Sequence, residues 1–172
     1  MEYTAHYDSP LEDITLASDG RTLTGLWFEG QRYFCSTLGA CGVPSALTTT
    51  SSSTKMPVFD DTRRWLDIYF SGREPDFMPP LSLKGTPFQH RVWEELLTIP
   101  YGQTVTYGEL SRRLGCRSAQ AVGGAVGRNP ISIIVPCHRV VGVNGSLTGY
   151  AAGLDRKRAL LKLENSQNLY NQ

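Results

Sequence analysis

Two apolar runs, residues 14–17 and 23–28, stand on either side of the polar tetrad Ser18-Asp19-Gly20-Arg21. Asp-Gly between strand-forming runs signals a hairpin, because tight primed turns need positive φ. Residues 3–34 therefore read as strands. The apolar positions then thin out. Residues 36–57 are rich in Gly, Ser and Thr, including TTTSSST, and read as a solvent-exposed, mobile loop. Trp65, Leu66, Ile68, Tyr69 and Phe70 return at helical spacing, which predicts a helix over 60–70 capped by Asp60, Asp61 or Thr62. Gly72 and three prolines between residues 71 and 80 mark a linker.

The second half is patterned mostly as helices. Thr86-Pro87-Phe88-Gln89 joins a Thr cap, a Pro at the first helical position and a Gln at the capping-box position. That helix carries Val92, Trp93, Leu96 and Leu97 and stops at Pro100-Tyr-Gly102. Thr106-Tyr-Gly-Glu109 repeats the box and opens a short helix that ends near Gly115. Ser118 caps another, AQAVGGAVG over residues 119–127. Two short helices about a Gly turn make a helix-turn-helix. Asn129-Pro130 ends it. Residues 131–135 then read as a strand and 142–145 as a turn. Residues 154–164 read as a basic amphipathic helix whose apolar positions are Leu154, Leu160, Leu161 and Leu163, and 165–172 as a flexible tail. The fold class is mixed α/β (α+β). Residues 1–80 form a small antiparallel sheet with a helix, and residues 84–164 form a mainly α-helical unit.

The 172 residues are 40% hydrophobic and 19% charged, the balance of a globular chain. No apolar stretch is long enough to cross a membrane. The polar, acidic start MEYTAHYDSP is no signal peptide, so a cytoplasmic protein is expected. The net charge of +1 hides an asymmetry. Residues 1–83 hold 6 Lys and Arg against 11 Asp and Glu, a balance of −5, whereas residues 84–172 hold 11 against 5, a balance of +6. A basic half suits a polyanionic partner. Four cysteines (Cys35, Cys41, Cys116, Cys137) and three histidines match no zinc template, so no metal is expected.

The chemistry concentrates in Ile133-Ile-Val-Pro-Cys-His-Arg-Val-Val141. Pro136 breaks any regular ladder. Cys137 follows on stiff backbone beside a base, His138, and a permanent cation, Arg139, a setting that lowers a thiol pKa. A lone Cys-His pair reads as a buried structural cysteine, but the helix upstream changes that balance. It carries Gly123 and Gly124, which cost about 1 kcal/mol each against Ala, and its other side chains are mostly small. Such a helix lets something bulky approach its backbone. Arg112, Arg113, Arg117 and Arg128 surround it and suit phosphates.

With its helix-turn-helix, NPISIIVPCHRVVG and the following GSLTGYAAGLDRKRALLKLE, the chain resembles the O6-alkylguanine-DNA alkyltransferases over residues 84–164. The resemblance implies a ribonuclease-H-like N-terminal α/β unit without catalytic residues. It also implies irreversible transfer of the alkyl group from O6-alkylguanine, and from O4-alkylthymine, in double-stranded DNA to Cys137. Each molecule acts once as a monomer, and no cofactor is needed because the cysteine accepts the group. Glu164 would hold His138, Tyr107 would protonate the departing base at N3, and Asn129 would brace the Cys137 turn. The base would flip out of the minor groove. The recognition helix would meet DNA through Ser118, Gln120, Ala121, Gly123, Gly124 and Arg128. Tyr150, Ala151, Val140, Val135 and Ser132 would form the pocket, with the Cys137 and Val140 carbonyls taking the exocyclic amine.

Two positions depart from the family pattern. Gln120 stands where an arginine finger is usual, and it brings no charge. Ser132 stands where some relatives have proline, and it widens tolerance of bulky alkyl groups. Three rival readings fit worse. A non-catalytic lesion binder of this fold would lack Cys137. A Cys-His hydrolase would need an oxyanion hole. A sequence-reading regulator would carry more polar side chains on its recognition helix.

Overall fold

The computed structural model describes residues 2–37, 48–49 and 56–168. Strands β1 (Tyr3–Ser9), β2 (Glu12–Ser18) and β3 (Leu23–Phe28) form an antiparallel meander, and the two-residue β4 (Thr48–Thr49) lies parallel to β1. The expected hairpin pairs Ile14 with Phe28 and Leu16 with Leu26. Its turn is held by Asp19, whose Oδ1 accepts from the Arg21 and Thr22 amides. Strand structure ends at Phe28, six residues before the expected limit, and the chain turns through residues 29–37. Most of the expected mobile loop over 36–57 lies outside the described residues.

Helix α1 (Pro57–Phe70) starts three residues before the predicted position. Pro57 takes the first turn, where its missing N–H costs nothing. Thr62, a predicted cap, lies inside the helix and donates to the Val58 carbonyl at 2.7 Å. The expected linker ends stitched to β3: Leu23 N donates to the Pro80 carbonyl and Ser82 N to the Leu23 carbonyl. Further along β3, Leu26 N donates to the Pro130 carbonyl and its own carbonyl accepts from Ser132 N. The outer edge of β3 is therefore covered by residues 80–82 and 130–132.

The helical half follows its caps. Thr86 closes a full capping box on α2 (Pro87–Leu96). Thr106 accepts from the Glu109 amide at the start of α3 (Tyr107–Leu114). Gly115, at φ +64°, ends α3 in the left-handed conformation that glycine adopts without strain. Ser118 caps α4 (Ala119–Gly127) by accepting from the Ala121 amide. The Trp93 indole of α2 donates to the Ala125 carbonyl and holds α4 in place. The predicted strand over 131–135 does not form. Ile133 sits at φ +70°, strained backbone for a β-branched residue, and turns the chain there. Beyond the site, β6 (Val140–Val141) pairs in parallel with β5 (Val105–Thr106). Helix α5 (Leu154–Asn168) continues past the expected stop at Glu164, and the remaining tail lies outside the described residues. One apolar core joins both halves, running from Leu16, Leu26 and Phe28 through Leu66 to Trp93, Val122 and Ile131.

Candidate active site

Every residue from Asn129 to Val141 is buried. The turn at Ile133 and the break at Pro136 deliver Cys137 into a short 3-10 turn spanning Cys137–Arg139. Its thiol lines a cavity of about 280 Å³. Tyr107, Gly123, Gly124, Asn129, Ser132, Tyr150 and Ala151 share that cavity. Asn129 braces the turn: its Nδ2 donates to the Val135 carbonyl at 2.8 Å and its Oδ1 accepts from Ile131 N at 3.0 Å. The Tyr107 hydroxyl donates to the Thr148 carbonyl at 3.3 Å.

On the residue after the thiol, His138 Nε2 lies 2.5 Å from Glu164 Oε2. Burial lowers the His138 pKa, opposed by Glu164, so the ring is neutral near pH 7. A neutral ring facing a carboxylate carries its proton on Nε2. Nδ1 is then the basic nitrogen, buried with no hydrogen-bond partner among the described residues. Burial alone would raise the Glu164 carboxyl, but His138 and then Arg139 outweigh it and hold it below its ordinary value.

Arg139 does not serve the thiol as expected. Its guanidinium is committed to Glu164 Oε1 and the Ile99 carbonyl. Nor is the resting thiol pKa lowered: burial pushes it up, opposed by Asn129, the Lys157 ammonium and Tyr150. The opposing cation is thus Lys157, which is buried and donates to the Thr148 and Gly149 carbonyls. Lys157, Leu160 and Glu164, at i, i+3 and i+7, form the buried face of α5, so helical spacing could have revealed this lysine. Leu154, expected on that face, is exposed.

Tyr69 was also missed. It comes from α1, its hydroxyl donates to Glu164 Oε2 at 3.3 Å, and its ring meets His138 edge-on. No local signal distinguishes it from the core aromatics around it.

The remaining expected residues lie elsewhere. Ser118, Gln120 and Ala121 are exposed on the first turn of α4, outside the cavity lining. Val135 and Val140 are buried in the core, and neither lines the cavity. Arg128 is exposed and stacks on Tyr33. Two residues that sequence reasoning passed over, Arg32 and Tyr33, complete the cavity wall from the loop after β3. Among the described residues no cluster of three or more His, Cys, Asp or Glu is placed to hold a metal, and no helix is long and apolar enough to cross a membrane.

The chain is similar to known proteins over both halves. Residues 87–166 match the family described as 6-O-methylguanine DNA methyltransferase, DNA binding domain, and residues 3–83 match its ribonuclease-like domain. The chain is 46% identical over 166 residues to a methylated-DNA–protein-cysteine methyltransferase of Mycobacterium tuberculosis, covering 94% of this chain and 93% of that one. A protein of the same name from Mycobacterium leprae is 45% identical over 170 residues, covering 98% and 96%. The crystal structure of Mycobacterium tuberculosis OGT in complex with DNA superposes with a TM-score of 0.82 at 43% identity, covering 96% of this chain and 94% of that one. With both halves matched and the cysteine held in its cavity, the chain belongs to the 6-O-methylguanine DNA methyltransferase family.

Proposed function

We propose that this protein repairs DNA directly, moving the alkyl group of O6-alkylguanine, or of O4-alkylthymine, onto Cys137 in a single irreversible turnover. One observation carries the reading: a buried thiol lines a cavity bordered by Gly123 and Gly124 of α4, and the next residue of its turn, His138, is paired with Glu164. The base leaves the duplex through the minor groove, at a cost of a few kcal/mol, and enters this cavity.

The chemistry balances without a cofactor. A water relays the thiol proton to His138 Nδ1, the nitrogen that has no direct partner among the described residues, and Glu164 steadies the resulting imidazolium. The Cys137 sulfur attacks the alkyl carbon, and the carbon–O6 bond breaks with its electron pair passing to guanine. Tyr107 supplies a proton at N3 and restores a neutral base. Asn129 keeps the turn in place. Tyr150, Ala151 and Ser132 line the alkyl and base pocket, and the Cys137 carbonyl accepts the exocyclic amine. Ser118, Gln120, Ala121, Gly123, Gly124 and Arg128 face the DNA. The protein works as a cytoplasmic monomer on this scheme.

Intact-protein mass after incubation with a duplex holding O6-methylguanine tests the transfer. The expected result is one adduct of about 14 Da per molecule, absent in Cys137→Ala. Binding to the lesion duplex without an adduct would indicate a lesion binder instead.

A further inference from the structure

The cavity has a wall that the alkyl-transfer scheme does not use. After β3 the chain turns, and Arg32 N donates to the Ala151 carbonyl at 2.8 Å, pinning this loop to the segment that carries Tyr150. Tyr33 then adopts φ +61° and Cys35 φ +55°, a left-handed backbone uncommon outside glycine. This backbone sets the Tyr33 ring at the cavity wall. Two guanidinium groups converge on that ring. Arg32 lies 4.9 Å from its centroid and Arg128, at the end of α4, lies 4.5 Å from it. Both arginines are exposed, and among the described residues neither pairs with a carboxylate.

Like charges repel unless an anion or a π-face holds them. The Tyr33 ring supplies part of that attraction, and it orients both planar groups without neutralising either. An arginine freed from carboxylates and held in a fixed plane is suited to a phosphate oxygen pair. Arg32 comes from the acidic half of the chain, so its place here does not follow from the overall charge asymmetry.

We propose that Arg32 and Arg128, stacked on Tyr33, form a phosphate fork that grips the DNA phosphodiester next to the nucleotide whose base enters the Cys137 cavity. This rests on the functional reading above. It gives the N-terminal half a direct role in holding DNA and places the grip at the Tyr33 wall of the cavity.

The test compares wild type, Arg32→Ala and Arg32→Lys. Duplex binding with one O6-methylguanine is measured from about 50 to 200 mM salt, alongside alkylation by free O6-benzylguanine, which has no phosphate. Arg32→Ala should weaken duplex binding about tenfold at low salt and reduce the salt slope by about one. Its loss on the free base should be smaller than its loss on the duplex. Arg32→Lys should restore the slope and part of the affinity, because it keeps the charge without the planar stack. An active wild type with unchanged slope and affinity in Arg32→Ala overturns the fork alone. A wild type that neither binds the duplex nor takes its alkyl group overturns the functional reading, and the fork with it.

Discussion

Glu164 shows how much one residue can hold. Its carboxylate meets His138 and Arg139 from the cysteine turn, Tyr69 from α1 and, at 3.5 Å, the Gly102 amide. These partners come from three segments far apart in sequence. A charge this buried is tolerable only while they all remain. Removal of the carboxylate leaves the Arg139 cation uncompensated, so Glu164→Ala should cost about 3–5 kcal/mol in urea unfolding as well as slow the transfer. In the sequence, Glu164 is merely an acidic residue near a helix end. Only the family resemblance pairs it with His138, and nothing local points to Tyr69. Cys137 was legible because proline, thiol and imidazole sit side by side. The state of its thiol was not, because burial depends on residues from other elements. Gln120 is exposed at the start of α4 and carries no charge. Gln120→Arg should therefore tighten duplex binding and speed single-turnover repair, and equal values in both assays would show that the missing cation is supplied elsewhere.

At the scale of elements, caps were readable and their competitors less so. Thr86, Thr106 and Ser118 each cap the helix they were expected to start, because a cap is decided within four residues. Helix α1 starts earlier than its three polar cap candidates suggest because Pro57, with its fixed φ, opens it. Residues 131–135 depart from their strand pattern for a different reason. Their apolar run has strand composition, but its burial comes from a turn, and the positive φ of Ile133 has no sequence signature. Helix α4 supports a separable prediction. A Cβ at Gly124 would meet nothing within 4 Å, so the residue is free to change without a clash. Gly124→Ala should raise stability by up to about 1 kcal/mol through helix propensity. If α4 enters a groove about 6 Å wide, the same methyl should weaken duplex binding. A thermal melt and a binding titration on one sample check both signs.

The whole molecule behaves as one acid-sensitive unit. His138 has its folded pKa lowered by burial, so the unfolded chain binds the proton more readily below the ordinary value of 6.5. Stability is therefore full above that pH and falls as the solution is acidified through it. Glu164 has its folded pKa lowered as well, so its contribution is present above the ordinary value of 4.5 and is lost as pH falls further, through the folded value. Urea midpoints at about pH 7.5, 5.5 and 4 should decline in two steps, and Glu164→Gln should remove most of the lower one. Because both halves share one apolar core, fluorescence and circular dichroism should report the same midpoint at each pH.

The covered edge of β3 ties solubility to the integrity of the site. Residues 130–132, which lead into the cysteine turn, occupy hydrogen-bonding positions on Leu26 that another chain would otherwise use. An exposed strand edge is a template for intermolecular pairing. A substitution that dislodges the Asn129–Val135 turn thus does more than disarm the thiol. It unmasks an adhesive border, and such variants should be found in inclusion bodies and protease digests before they are found in assays of repair.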